Sequence, residues 1–275
     1  MSKSHTARVL LKQQLNAKVS TLFIWLLVWS LLLLLFATVF NSLSKDAAES
    51  SKVFRQLPSG VFNSFNIDPS SYLTRIESFI SGQFLSVYML AGCIFSFTLG
   101  VGLIGKKIES RVIATLLTKP ISRYRLYAVQ SLVSVLFLAV ASTLLCGISL
   151  IIFTNLLHSQ NIVSTSYFTS LFTGSGLLFI AFALLGQLLG TLLNGGKSVP
   201  IGAGIVVVSW FVNNLAQLAH IPGVVQKLSL FHYFDVALLR TSFKLAFGST
   251  VQLIIIILVL FIIGRQVFSK KDIYI

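Results

Sequence analysis

Two stretches of this chain come close to a loop that could hold a nucleotide phosphate. Such a loop reads GxxxxGK followed by Ser or Thr: backbone N–H groups cradle the phosphate, the lysine reaches it, and the hydroxyl holds magnesium. Residues 100–107, GVGLIGKK, have the glycine spacing and the lysine, but Lys107 stands where the hydroxyl residue is needed. Residues 190–198, GTLLNGGKS, have one residue too many. Both lie at the end of an apolar stretch rather than after a soluble strand, so the chain is not expected to hydrolyse ATP itself. Other chemistry is thin. No GxSxG or HExxH occurs, the seven acidic residues are not clustered, and the four histidines are scattered at 5, 158, 220 and 232. Cys93 and Cys146 fall inside apolar stretches. A free thiol there behaves as a small apolar residue, and no disulfide or zinc spacing is present. No catalytic, cofactor-binding or metal-binding residue is expected on this chain.

The elements that must position whatever this chain does are membrane helices. Hydrophobic residues make up 55% of the sequence, charged residues 10%, and mean hydropathy is +0.89. A soluble domain carries about 25% charged residues. Charge-free stretches cover 19–44, 78–105, 126–196, 198–226 and 245–264. One span needs about 20 apolar residues, and 126–196 is long enough for two, with a polar break at 155–166. The expected fold is therefore all-α, one membrane domain over 1–275. Its six spans fall near 19–40, 80–105, 126–153, 168–193, 200–219 and 247–267. The run 19–40 is too long for a signal-peptide core and no small-residue cleavage site comes after it, so it is read as a span.

The net charge of +14 does not require a nucleic acid. Lys and Arg collect on the cytoplasmic side of membrane proteins. With the N-terminus inside, 14 of the 21 basic residues face the cytoplasm and seven face out. Both termini are then cytoplasmic, 106–125 is an inner loop, and 41–78 and 220–246 are outer loops. The loop 41–78 has turn signals at Pro58-Ser59-Gly60 and Asp68-Pro69 and names no ligand. Ahead of the first span, 5–20 reads as an amphipathic helix with Val9, Leu10, Leu11, Leu15 and Val19 near one face. Arg8, Lys12 and Lys18 could snorkel to headgroups; the alternative is a basic flank to the span.

Small residues mark the fourth span. Gly186 and Gly190 form GxxxG, with Gly174 and Gly176 earlier on the same helix. Such faces let helices approach closely, either between subunits or within one bundle. Gln187 can hydrogen-bond across the bundle or face a polar cavity. Lys197 comes after a tight Asn-Gly-Gly turn, and Pro200 is expected to open the fifth span, where a missing N–H costs little.

The segment 106–125, KKIESRVIATLLTKPISRYR, holds six of the 21 basic residues. Ile108, Val112, Ala114 and Leu117 interleave with polar residues, which predicts a short amphipathic helix. Pro120 ends it, because the residue before proline is pushed out of helical geometry. This stretch resembles the cytoplasmic coupling element of type-2 ABC exporter permeases. Glu109 matches a glutamate eleven residues before Pro120, and Thr118-Lys119-Pro120-Ile121-Ser122-Arg123 matches the end. The departure is Arg111-Val112, where the family carries Gly-Thr. Residues 230–239, LFHYFDVALL, resemble the family's Phe-x-Tyr-Phe-Asp segment, and 268–273, FSKKDI, its C-terminal end.

The resemblance implies a permease working with a second, identical or related permease in the lipid bilayer of a bacterial cell membrane. A separate ATPase subunit would carry ATP and magnesium. Ile108, Glu109, Val112, Leu117, Pro120 and Arg123 would form the ATPase-docking element, with Glu109 paired to an ATPase arginine or lysine. An aromatic segment before the last span, with Phe231, Tyr233, Phe234, Asp235 and Arg240, is a candidate outer gate; the alternative is an interfacial anchor. The expected function is export of an amphipathic or hydrophobic cargo such as a peptide, lipid or drug. Two alternatives stay open: an ABC-coupled immunity or sensing protein that translocates nothing, and an ATPase-independent channel or membrane enzyme.

Overall fold

The computed structural model describes residues 3–45, 75–117, 121–156, 164–193, 195–215, 223–234, 236, 239, 242 and 244–271. Among the described residues it is helical throughout, and six helices are long and apolar enough to cross a membrane, the architecture of a multi-pass membrane protein. In chain order these residues form α1 (Lys3–Asn16), α2 (Val19–Lys45), α3 (Ile76–Glu109), α4 (Val112–Leu117), α5 (Arg123–Leu156), α6 (Thr165–Leu192), α7 (Gly195–Leu215), α8 (Gly223–Leu228), a 3-10 turn (Leu230–Tyr233) and α9 (Phe247–Lys270).

Helices α3 and α6 form the centre, and α6 also packs on α5, α7 and α9. Their side chains are largely buried, whereas α2, α7 and α9 leave most of their apolar surface outward. An apolar outer surface is what a bilayer selects. Glycines set how close the central pair comes. A Cβ on Gly100 would lie 1.9 Å from the Ala183 carbonyl oxygen, and one on Gly186 would lie 2.2 Å from that of Phe97. Gly105 and Gly190 meet backbone to backbone, with a Cβ on Gly105 falling 2.8 Å from the Gly190 Cα. The GxxxG face is thus filled by α3 of the same chain. The same contacts bear on the two near-phosphate loops: Gly100, Gly105 and Gly190 are helix-packing residues, and 100–103 is a helix with its N–H groups in the ladder.

Further along this seam Tyr88 of α3 is enclosed by rings. Trp29 of α2 lies edge-on at 4.8 Å, Phe84 stacks at 5.3 Å, and Phe179 of α6 lies edge-on at 5.1 Å. Such pairs add about 0.5–1.5 kcal/mol each beyond area burial. Helix α3 is not uniform. It contains a π-turn at Ile80–Phe84, where the Ser81 hydroxyl donates to the Glu77 carbonyl and shares a 2.6 Å hydrogen bond with the Tyr167 hydroxyl. A side chain competing for a ladder carbonyl is a recognised cause of such widened turns.

Three expectations are corrected. Helix α1 does not lie free on the surface: it packs along α5 with Leu10 buried and Leu11 and Leu15 partly so, while Val9 and Val19 are exposed. Protein covers Leu10 and part of Leu11 and Leu15. Helix α7 begins at Gly195, so Lys197 lies in its first turn and Pro200 sits inside the helix. A proline one turn in forfeits a single backbone bond near the helix start and leaves the rest intact. The segment after Ile104 forms two short helices, Gly105–Glu109 and Val112–Leu117, rather than one.

Candidate functional site

At the end of the bundle that gathers α1, the start of α5 and the end of α9, the chain builds a second hydrophobic core. Leu10, Ile104, Ile113, Ile121, Leu126 and Phe268 are buried there, with Ile108 and Leu116 packed against them. The segment 106–117 is mounted on this core. Helix α3 breaks its ladder at Ile104 (φ −124°, ψ −60°) and resumes over Gly105–Glu109. It stops at Ser110, and Arg111 turns the chain at φ 58° before α4 starts. That left-handed conformation suits glycine and costs another residue about 1–2 kcal/mol.

The side chains expected to dock an ATPase separate into two groups. Ile108 is turned into the chain's own core. Arg123 is also turned inward: its guanidinium donates to the carbonyls of Lys271 at 2.7 Å and Ser269 at 3.4 Å. Cations favour helix C-termini because the last carbonyls have no intrahelical partner. Outward point Val112, 46% exposed, and Glu109. Pro120 and the side chain of Leu117 lie outside the described residues.

Glu109 already has a partner. Its Oε2 accepts the Gly196 N–H at 2.8 Å, at the N-terminus of α7. The first amides of a helix are orphan donors at the positive end of its dipole, and a carboxylate satisfies both demands. The bond ties the end of α3 to the start of α7. Nearby, Lys107 donates to Gln14 of α1 at 2.7 Å and to Gln130 of α5 at 3.1 Å. Lys271 donates to the Thr191 carbonyl at the end of α6. Polar ties at this end therefore join α1, α3, α5, α6, α7 and the end of α9. Sequence reasoning did not reach these ties. The local signal was the glycine-rich helix start at 195–196, and its acceptor lies 87 residues upstream.

Gln187 is buried and its amide is engaged across the bundle. Ser131 donates to its Oε1 at 2.7 Å, and its Nε2 donates to Ser134 at 3.0 Å. Of the two readings open for Gln187, the hydrogen-bonded one holds.

In the other half of the bundle, the aromatic segment is inserted. Phe231 and Phe234 are 4% and 5% exposed. Phe231 meets the Phe182 ring at 5.4 Å, and Phe234 fills the space beside Gly174. Ser229 donates to the Ser209 carbonyl of α7 at 2.9 Å. Phe182 lies ten residues before Leu192, about 15 Å along the axis at 1.5 Å per residue. The 3-10 turn thus reaches deep between α6, α7 and α9. Irregular backbone at membrane depth is tolerated where protein buries it. Tyr233 is only partly buried, and its hydroxyl donates to the Lys227 carbonyl at 2.9 Å. Asp235 and Arg240 lie outside the described residues. Beside the turn, Ser81, Ser86, Asn213 and Asn214 contribute the polar half of the lining of a small cavity of about 30 Å³ next to the π-turn. An apolar cavity of about 300 Å³ opens between α5 and α6, with Ser142, Thr143, Cys146 and Thr173 among its walls. No group of three or more His, Cys, Asp or Glu able to hold a metal occurs among the described residues.

No protein-family model matches this chain, and neither does any curated protein or solved structure.

Proposed function

We propose that the chain is the membrane-spanning permease subunit of an ABC exporter, paired with a second permease and driven by a separate ATPase docked at its basic end. That end faces the cytoplasm in this reading, by the excess of Lys and Arg there. One observation carries the proposal. The segment 106–117 presents Glu109, Arg111 and Val112 outward from a footing of buried Ile104 and Ile113 and partly buried Ile108, tied to α5, α7 and α1. A loop that served only to set topology would need the charge but not the footing.

The mechanism rests on the ties. An ATPase gripping Val112 and Glu109 pulls on the end of α3. The Glu109–Gly196 bond transmits that pull to α7, and the close glycine seam transmits it to α6. Tightly packed helices exchange between discrete arrangements rather than deforming smoothly. The inserted turn at Leu230–Tyr233 sits between α6, α7 and α9, where such a shift releases it as the outer gate. Cargo of amphipathic or hydrophobic character suits the apolar, hydroxyl-dotted cavity between α5 and α6.

The test is purification in mild detergent from the native host, with peptide identification of the proteins recovered alongside the chain. The expected result is a stoichiometric ATP-binding protein that is lost in Val112→Asp, a variant whose site is exposed and whose fold should be untouched. A single species with no nucleotide-binding companion overturns the proposal in favour of a self-sufficient channel or enzyme.

A further inference from the structure

Where α1 turns into α2, a groove of about 250 Å³ runs between the start of α2 and α5. Leu15, Leu22, Leu136 and Val140 are among its apolar walls, and Lys18 and Asn16 are its polar lining. A cavity this large and this apolar is not a water site: a water occupies about 30 Å³ and needs two to four polar partners. Lys18 is half-buried at the groove and is held below the usual lysine range, first by burial and then by the cation of Lys106. Among the described residues no carboxylate pairs with Lys18 or Lys106. Glu109, the acid nearest in sequence to Lys106, is committed to Gly196. Lys107 is committed to Gln14 and Gln130. Lys18 thus lines an apolar slot at the start of a membrane span with no carboxylate paired to it among the described residues. Like charges brought together disfavour their own ionised forms unless an opposite charge sits with them.

We propose that this groove holds one anionic phospholipid, with an acyl chain between α2 and α5 and its phosphate on Lys18. Basic pockets beside membrane helices recognise anionic headgroups in this way. The apolar slot contributes the part of the recognition that a free phosphate could not use. The lipid would fill the α1–α2–α5 junction and hold α1 against the bundle. The groove is separate from the face proposed for ATPase docking: its lining lies at 15–22 and 136–140, and none of it belongs to 106–117.

The full-length protein, purified in mild detergent, is mixed with equal amounts of phosphatidylglycerol, phosphatidylcholine and diacylglycerol, and retained lipid is read by native mass spectrometry. One phosphatidylglycerol per chain is expected, preferred about tenfold over phosphatidylcholine. Lys18→Gln should bring that preference to within about twofold. Val140→Trp, which fills the slot and leaves Lys18, should lose retained lipid of every headgroup; Val140→Phe serves if the tryptophan variant does not fold. Lys12→Gln, exposed on α1 and absent from the groove, should match the parent. The proposal fails if the parent binds the three lipids equally or if Lys18→Gln keeps its preference. It also fails if inorganic phosphate or glycerol phosphate displaces phosphatidylglycerol at equal concentration, because the apolar slot would then add nothing to recognition.

Discussion

The two ends of α3 use the same device in opposite settings. At one end Glu77 accepts the backbone N–H of Ser164, where α6 begins, at 3.3 Å. At the other, Glu109 accepts the N–H of Gly196, where α7 begins, at 2.8 Å. Each carboxylate answers the positive end of a later helix. The difference is water. Glu77 is 5% exposed and has Arg75 at 3.8 Å as a second partner. Glu109 is exposed. A buried acceptor that loses its donor strands a desolvated charge, whereas an exposed one is resolvated at once. One end of α3 is consequently locked to its neighbour, and the other can exchange its backbone donor for a protein partner. In the proposed reading the exchangeable end belongs on the side of the ATPase, and Glu109 is the glutamate on the basic end.

The largest effect is expected between the two ends, at the seam of α3 and α6. Gly100→Ala puts a Cβ within 1.9 Å of the Ala183 carbonyl oxygen, so α3 and α6 must part. A loss of about 3 kcal/mol is expected as a lowered midpoint of thermal unfolding in detergent; an unchanged midpoint would show that the seam is looser than that distance requires. Next comes the locked end. Glu77→Ala should cost about 2 kcal/mol by leaving the Ser164 N–H without its acceptor. If it costs nothing, Glu77 is not a lock and the contrast disappears. The turn between the two halves of the docking segment is the third test. Arg111→Gly relieves the left-handed backbone and should stabilise by about 0.5–1 kcal/mol, the gain being partly offset by the freedom glycine has when unfolded. A loss of stability there would mean that the arginine side chain matters more than its backbone. The smallest effect on stability belongs to the exchangeable end. Glu109→Gln should leave the thermal midpoint where it was while reducing the ATP-binding protein recovered with the chain. If the midpoint falls as far as for Glu77→Ala, the two ends are alike.

Much of the architecture was legible from residue order. Spans expected near 19–40, 126–153 and 247–267 appear as Val19–Lys45, Arg123–Leu156 and Phe247–Lys270, each helix running a few residues past the expected span. Apolar runs report hydrocarbon and not helix length, so the ends were misjudged wherever a helix continues into polar sequence. Pro200 misled for a related reason: a proline is tolerated within the first turns of a helix as well as at its first residue. The amphipathic stripe of α1 was visible, but a stripe does not say whether lipid or protein covers it. Ile108 and Arg123 looked available because spacing alone cannot show that another part of the chain has claimed them.

Sequence by itself determined the membrane class, the number of spans, the basic end and the absence of a complete phosphate loop. These depend on local composition, and local composition sets transfer into lipid residue by residue. Tertiary structure decided which glycines meet, that Glu109 seats on α7, that Arg123 closes over the end of α9, and that Phe231 and Phe234 fill the bundle rather than line its rim. The hydrogen-bonded partners among these stand 87 and 148 residues apart. No periodicity reaches that far, because the geometry that joins them exists only once the helices have packed.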